Sequence, residues 1–468
     1  MNNNSSNEKQ LFGTDGIRGV AGHPPLDSPT VFVIGRSLGE YLRSHASHSG
    51  PAGVPGVLIA EDTRESSRWI AETLAAGLQE AGIEPSTPGV LTTPGLAYLT
   101  SAGSYACGVM ISASHNPYQD NGIKVFASSG YKLPDAEELE VERNIFTALA
   151  NGRAVRPRRL AMEPRHELVS PYVAFLRRRA EGIGKPPARK VVLDCANGSA
   201  AALVREVFSG FGLELTLVSD APDGRNINLG CGSLHLENIQ DAVRRARAEL
   251  GVAFDGDADR ALFVTGQGRV VNGDGVLLAA SRYLQQRGAL RGGVVVGTIM
   301  ANLGLERALE REGLRLVRTP VGDKYVLEQM LRSGANLGGE QSGHIIFRDL
   351  ATTGDGLLTA IEILRIISET GQPLEQLAEG LREFPQTIRN IRVREKIPLE
   401  ELPLVSEQIR ASARSLGAAG RVVVRYSGTE PVVRVMVEAE TEALVERHAA
   451  AILRAFEQTP GVLSPASL

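Results

Sequence analysis

Cysteine is scarce in this 468-residue chain: Cys107, Cys195 and Cys231 are the whole complement, and no two form a C-x-x-C pair. That argues against a disulfide framework or a thiolate metal centre and for a reducing, cytoplasmic setting, with the thiols buried as small hydrophobes. Long apolar runs are missing too, so no segment is expected to span a bilayer. The opening residues Met1–Asn7 are polar and lack the apolar core of a secretory signal. Nor is there an excess of positive charge. A net charge of −4 and a pI of about 6.1 argue against a nucleic-acid partner, which would want a basic domain. The basic run Arg177–Arg179 reads as the solvated end of an amphipathic helix, where cations suit the negative end of the dipole. No GxxxxGK[ST] loop is present, so a nucleoside triphosphate is not the expected phosphate source.

What is present is ordinary for a folded chain: 43% hydrophobic and 22% charged residues, enough for a sizeable core. The length fits three domains, with room for four small ones. A strand, loop, helix, glycine, strand pattern occurs three times. Val57–Ile59 leads to a helix through Trp69, Ile70, Leu74 and Leu78 that stops at Gly82. Lys190–Leu193 leads to one through Leu203, Val204 and Val207 that stops at Gly212. Val294–Val296 leads to one through Leu303, Leu305 and Leu309 that stops at Gly313. Apolar residues at helical spacing with glycine as the stop predict strand–helix–strand crossovers and mostly parallel sheets covered on both faces. The expected fold is α/β: three related α/β domains over residues 1–155, 165–266 and 267–384, then an α+β domain over 386–460. Boundaries are read from the Arg/Pro-rich stretch Asn151–Pro164 before a helix capped at Ser170-Pro171, from Gly266–Gly268, and from Phe384–Gln386. The tail after Pro460 reads as disordered.

Four motifs carry chemistry. Ser112–Pro117, followed by Asp120–Lys124, sets a hydroxyl at Ser114, an imidazole at His115 and an amine at Lys124 in a loop after the apolar run Val109–Ile111. A hydroxyl at a strand end suits a nucleophile or a phosphoryl relay, although Asn-Pro and Asn-Gly are also plain turn signals. Asp255, Asp257 and Asp259 follow the apolar Val252–Phe254 with small residues between them. Three carboxylates converging in one turn repel strongly without a hard cation, and carboxylates with a phosphate are a usual setting for magnesium. A calcium EF-hand fails on sequence, since Arg260 stands where glycine is needed and Gly266 where an acid is needed. Gly338–His344 surrounds Glu340, Ser342 and His344 with glycine, a setting for sugar hydroxyls, which donate and accept at once. Arg425–Pro431, with Arg434 behind it, offers guanidinium forks, hydroxyls and a glycine-freed amide as a phosphate cradle in a hairpin loop.

Taken in order, behind Leu11–Gly19 (LFGTDGIRG), these segments resemble the alpha-D-phosphohexomutase family over nearly the whole chain. Phe12–Arg18, Gln341, Thr353–Gly356 and Arg425–Pro431 are similar to the bacterial branch that acts on glucosamine phosphate. Two departures stand out: Ala60-Glu61 precedes Asp62-Thr63-Arg64 where relatives usually begin with glycine and a basic residue, and Ala258 replaces a common glycine. The resemblance implies a cytoplasmic isomerase that interconverts glucosamine 6-phosphate and glucosamine 1-phosphate, feeding UDP-N-acetylglucosamine and cell-wall precursor synthesis. Phosphorylated Ser114 would be the relay, with a glucose or glucosamine 1,6-bisphosphate as intermediate and activator. One Mg2+ is expected on Asp255, Asp257, Asp259 and the Ser114 phosphate. Arg18, Arg260, His115 and Lys124 would serve the transfer, Lys124 as the base if its pKa is lowered. Glu340, Ser342 and His344 would bind the sugar, with Lys324 of the turn Pro320–Lys324 a weaker candidate beside Asp323. Arg425, Ser427, Gly428, Thr429 and Arg434 would hold the phosphate that is not reacting. The four loops are expected to face one central cleft in a monomer or homodimer. Phosphomannomutase or phosphoglucomutase specificity, a metal-dependent phosphosugar phosphatase and a non-catalytic sugar-phosphate binder are the competing readings.

Overall fold

The computed structural model describes residues 9–45, 56–150, 156–181, 183, 190–427, 431–459 and 462. The chain divides into two compact units, Met1–Thr298 with Val317–Glu379, and Ile299–Leu316 with Gly380–Leu468. The first sheet contains β1 (Ile17–Val20), β2 (Gly56–Glu61), β3 (Glu84–Val90), β4 (Cys107–Ile111) and β5 (Asp120–Ala127) in the order β1-β5-β4-β2-β3. The second contains β6 (Lys190–Asp194), β7 (Glu214–Val218), β8 (Leu250–Phe254), β9 (Ala261–Thr265) and β10 (Val270–Val271) in the order β10-β9-β8-β6-β7. The third contains β11 (Val294–Thr298), β12 (Arg315–Thr319), β13 (Leu337–Gly339) and β14 (Ile345–Phe347) in the order β12-β11-β13-β14.

One device recurs in all three. A parallel strand runs into a functional loop and returns antiparallel: β4 to β5, β8 to β9 and β13 to β14. The strands leading in are parallel to β2, β6 and β11 respectively. Cys107–Ile111 and Leu250–Phe254 are buried at every position, as expected of strands covered on both faces, so they read as unbroken apolar runs. Rigid strands thus fix where each loop starts and ends.

Several expectations need correction. The helix through Leu203 and Val207 shrinks to a 3-10 turn, Ser199–Ala202, and one α turn, Val204–Val207, because Gly210 and Gly212 take left-handed φ soon after. Ser170 does not cap its helix; a 3-10 turn over His166–Val169 runs straight into Ser170–Ala180. Arg179 is not a solvated end, since its guanidinium grips Glu362 at 2.8 Å. Gly266–Gly268 forms a hairpin turn, and the second sheet runs on through β10 to Val271 beyond it. Of the stretch 151–164, residues 156–164 run along the first domain, with Leu160 N–H on Glu72 O at 3.0 Å and Met162 buried; 151–155 lie outside the described residues. The tail after Pro460 also lies outside them, apart from Val462, which is buried and accepts from Arg394 N–H at 2.9 Å.

The second unit is built on an antiparallel sheet of β15 (Gln386–Arg392), β16 (Gly420–Tyr426) and β17 (Val432–Ala439), ordered β15-β17-β16. Helices Pro403–Leu416 and Glu442–Glu457 cover the face that carries Val433, Val435 and Val437. The first of these helices had no counterpart in the sequence reading. Buried Glu438 accepts from Leu303 N–H at 2.7 Å and from Arg421 Nε at 2.5 Å, while Arg421 reaches Ile299 O and Ala301 O. That pair ties the segment 299–316 to the C-terminal sheet.

Candidate active site

Ser114 lies in the β4–β5 loop with φ at 53° and a side chain almost wholly buried. A left-handed serine is uncommon and needs its surroundings to hold it. Arg64 does so from a fully buried position. Its Nε donates to Asp62 Oδ2 at 2.8 Å, its Nη2 to Ser114 O and Asn116 O at 2.9 Å, and its Nη1 to Asp120 O at 3.1 Å. Asn228 adds a second donor to Ser114 O at 2.9 Å. The β8–β9 loop closes in from the other side. A Cβ at Gly256 would stand 2.5 Å from Ser114 O, so no other residue fits that approach.

The Ser114 hydroxyl donates to Asp255 Oδ2 at 2.5 Å and lies 3.3 Å from His115 Nδ1. Asp255, Asp257 and Asp259 are all buried, and one ligand oxygen from each lies within 4.8 Å of the others. Ala258 turns the chain between them with φ at 55°, the conformation for which glycine is usual. Asp257 is steadied by Thr93, whose hydroxyl donates to Oδ2 at 2.5 Å. Asp257 Oδ1 and Asp259 Oδ1 are buried with no hydrogen-bond partner, a costly arrangement that an oxygen-seeking divalent cation would relieve. Burial, then Asp259 and Asp257, push the Asp255 pKa well up. Burial also opposes charge on Asp259, but Lys124, His344 and Arg260 outweigh it and its pKa falls. The donor set therefore fits magnesium.

Cations ring the trio. Lys124 is 1% exposed and places Nζ 2.8 Å from Asp257, 3.0 Å from Asp15 and 3.7 Å from Asp259. Burial works against its charge, yet those three carboxylates prevail and raise its pKa. This reverses the lowering expected for a proton-accepting lysine. In that field Lys124 is a cation first, and it turns basic only once positive charge offsets the carboxylates. Arg260 N–H bonds Asp255 Oδ1 at 3.2 Å and its Nε lies 3.8 Å from Asp259. Arg18 pairs with Asp15 and reaches Asn116 Oδ1 at 3.4 Å. Burial, Arg260 and Arg18 push the His115 pKa down to about 4, so that imidazole is neutral near pH 7.

The β13–β14 turn carries Glu340 and Ser342, both half-buried, and the buried His344. Glu340 Oε1 accepts from Gly322 N–H at 3.2 Å. His344 lies 3.6 Å from Asp259 and 3.7 Å from Asp323. Burial lowers its pKa, but Asp259, Asp323 and Glu340 lift it to about 9. Against that pull, Gly354 N–H donates to Nε2 at 3.0 Å, which demands a lone pair there. A backbone amide cannot turn away, so the bond sets the proton on Nδ1, facing Asp259. Lys324 is not brought to this group. Its ammonium turns to Asp135 at 2.5 Å and Glu138 at 3.3 Å on the helix Asp135–Ala150, while its neighbour Asp323 faces inward to Lys132 at 2.6 Å.

The structure thus joins Arg18, Ser114, His115, Lys124, the three aspartates, Arg260 and His344 in one network. Sequence reasoning missed Asp15, Arg64, Thr93, Lys132 and Asn228 as members. Asp15 lies within the motif beside Arg18 and was legible there; the other four are brought in by folding alone.

In the C-terminal sheet, Arg425 on β16 is directly opposite Arg434 on β17. Both are half-buried on the face away from the helices. Burial, then Arg434, lower the Arg425 pKa. Like charges directly opposite each other destabilise a strand pair. Ser427 is buried, with its N–H on Val432 O at 2.7 Å. Gly428 and Thr429 lie outside the described residues.

Models of the phosphoglucomutase/phosphomannomutase α/β/α domains I, II and III and of the C-terminal domain match residues 9–151, 170–268, 272–384 and 389–455. A phosphoglucosamine mutase from Solibacter usitatus is 51% identical, over 97% of this chain and 99% of its own. The chain belongs to the phosphoglucomutase/phosphomannomutase family. A phosphoglucosamine mutase from Koribacter versatilis is 50% identical over 97% of this chain and 98% of its own. Among solved structures, a phosphoglucomutase/phosphomannomutase family protein from Burkholderia thailandensis superposes with a TM-score of 0.76 at 26% identity, covering 97% of this chain and 98% of that one. The family resemblance therefore spans both units of the chain.

Proposed function

We propose that the protein interconverts glucosamine 6-phosphate and glucosamine 1-phosphate, with phosphorylated Ser114 as relay and a 1,6-bisphosphate as intermediate. The observation that carries this reading is the 2.5 Å contact between the Ser114 hydroxyl and Asp255, which sets the nucleophile on the carboxylate trio. The full-length similarity to phosphoglucosamine mutases supports the choice of sugar.

In the first half-reaction, O1 of glucosamine 6-phosphate bonds to the phosphorus as the bond to Ser114 Oγ breaks. The hydroxyl proton leaves O1, and the serine oxygen takes one up. The bisphosphate then turns over, and Ser114 Oγ bonds to the phosphorus on O6 as the P–O6 bond breaks; the serine proton leaves, O6 takes one up, and glucosamine 1-phosphate is released with the relay restored. Asp255, Asp257, Asp259 and the serine phosphate would hold magnesium, which would supply charge neutralisation on the transferring phosphoryl oxygens. Arg18 and Arg260 add positive charge beside the trio. Lys124 handles the hydroxyl proton once its carboxylates are offset, and neutral His115 stands beside Oγ. Glu340 and Ser342 address the sugar hydroxyls, close to His344. Arg425, Ser427 and Arg434 are assigned the phosphate that is not reacting.

Replacing Ser114 with alanine should lower mutase turnover by at least about a thousandfold, since no second oxygen occupies its place. Intact-mass measurement should show one phosphate on the wild type and none on the variant. A variant with full activity rejects the relay. Wild-type release of free phosphate without isomerised sugar would make the protein a phosphatase instead.

A further inference from the structure

An amino sugar differs from glucose at one place, an ammonium in place of the 2-hydroxyl, so a selective site needs negative charge to spare near the sugar. The β13–β14 turn and the start of the helix Asp323–Ser333 hold two such groups side by side. Gly322 N–H bonds the Glu340 carboxylate at 3.2 Å, which puts Asp323 one residue away from that contact. Glu340 has no lysine or arginine ion pair among the described residues. Asp323 shares its only amine, Lys132, with Asp15, at 2.6 and 2.5 Å. Asp15 already holds Arg18 and Lys124. Lysine and arginine ion pairs are therefore concentrated at the Asp15 end of this chain, with Lys132 alone reaching Asp323 among the described residues. His344 lies between Asp323 and Asp259: Nε2 accepts from Gly354 N–H and is 3.7 Å from Asp323, and Nδ1 is 3.6 Å from Asp259.

A site for neutral hydroxyls alone has no use for a second carboxylate there, because like charges in a poorly hydrated place repel. An ammonium satisfies both at once. Resting on the function proposed above, we infer that Asp323, with Glu340 beside it, receives the 2-ammonium of the sugar and makes the protein selective for amino over hydroxy sugars. Asp323 is thus a specificity residue that touches substrate, whereas the adjacent Lys324 serves the fold.

The test compares kcat/KM for glucosamine 1-phosphate and glucose 1-phosphate in the wild type and in Asp323→Asn. The expected result is a fall of about tenfold or more for the amino sugar and less than about threefold for glucose, so the ratio moves. An equal loss on both sugars overturns the inference and leaves a structural role for Asp323. A second measurement needs no variant: wild-type binding of glucosamine 6-phosphate against its N-acetyl form, whose amide carries no charge. Tighter binding of the free amine by about tenfold supports the inference, and equal binding overturns it. If the wild type isomerises glucose phosphate but never glucosamine phosphate, the proposed function fails first and this inference with it. A wild type active on glucosamine phosphate with an unmoved ratio removes Asp323 alone.

Discussion

The serine and metal loops of the first unit and the arginine hairpin of the second handle charge in opposite ways. Around Ser114 nearly every polar atom is spoken for: Arg64 serves Asp62 and the carbonyls of Ser114, Asn116 and Asp120, and Lys124 serves Asp15 and Asp257. Order there is over-determined, and the buried atoms of this network without a hydrogen-bond partner include Asp257 Oδ1, Asp259 Oδ1, Arg18 Nε and Arg260 Nε. In the hairpin two guanidinium groups of like sign face each other across strands. Burial, with that proximity, lowers the Arg425 pKa. The first region sets cations against carboxylates and carbonyls, and the second sets cation beside cation.

Substitutions can break this contrast. The largest effect should come from Arg64→Ala, which strips the serine loop of its donors and leaves Asp62 as a buried carboxylate without its ion pair. A loss of about 3–5 kcal/mol is expected, read as a lower urea midpoint. Arg425→Ala should leave stability within about 1 kcal/mol of the wild type, because a repulsion goes with the side chain. It should raise KM for the phosphosugar by about tenfold, worth about 1.4 kcal/mol of binding. Equal destabilisation by the two variants would erase the distinction between the regions. The smallest effect belongs to Ala258→Gly. Relief of a left-handed φ, about 1–2 kcal/mol, is offset by the lost methyl and by the freer unfolded chain. A midpoint within about 1 kcal/mol of the wild type is expected, and a larger gain would mean that the metal loop stores more strain than its backbone angle implies.

The sequence made part of this site legible because some of its chemistry is local. Three aspartates two residues apart, and a serine and histidine in a loop with a lysine on the strand that follows, are patterns that a linear reading detects. Arg64 lay in a strand-end pattern that the sequence offered without a role, and Thr93 and Asn228 were not legible as site residues, since each acts on loops far along the chain. Lys324 shows a finer limit. It stands next to Asp323 in the first turn of a helix, where successive side chains diverge by about 100°. Composition of the turn could not tell which of the two faces inward, and the acid does. The three crossovers were visible through apolar runs and glycine stops. The middle helix was overestimated because Leu203, Val204 and Val207 have helical spacing without the length to propagate it.

The three α/β sheets place their functional loops at one and the same rung, where a buried strand hands over to a reversing neighbour. Each loop is anchored at both ends by backbone pairing that takes no notice of the side chains at its tip. Ser114, the aspartate trio and the Glu340–His344 group are therefore interchangeable cargo on a common mount. A change of residue at the third tip leaves the backbone pairing beneath the first two untouched.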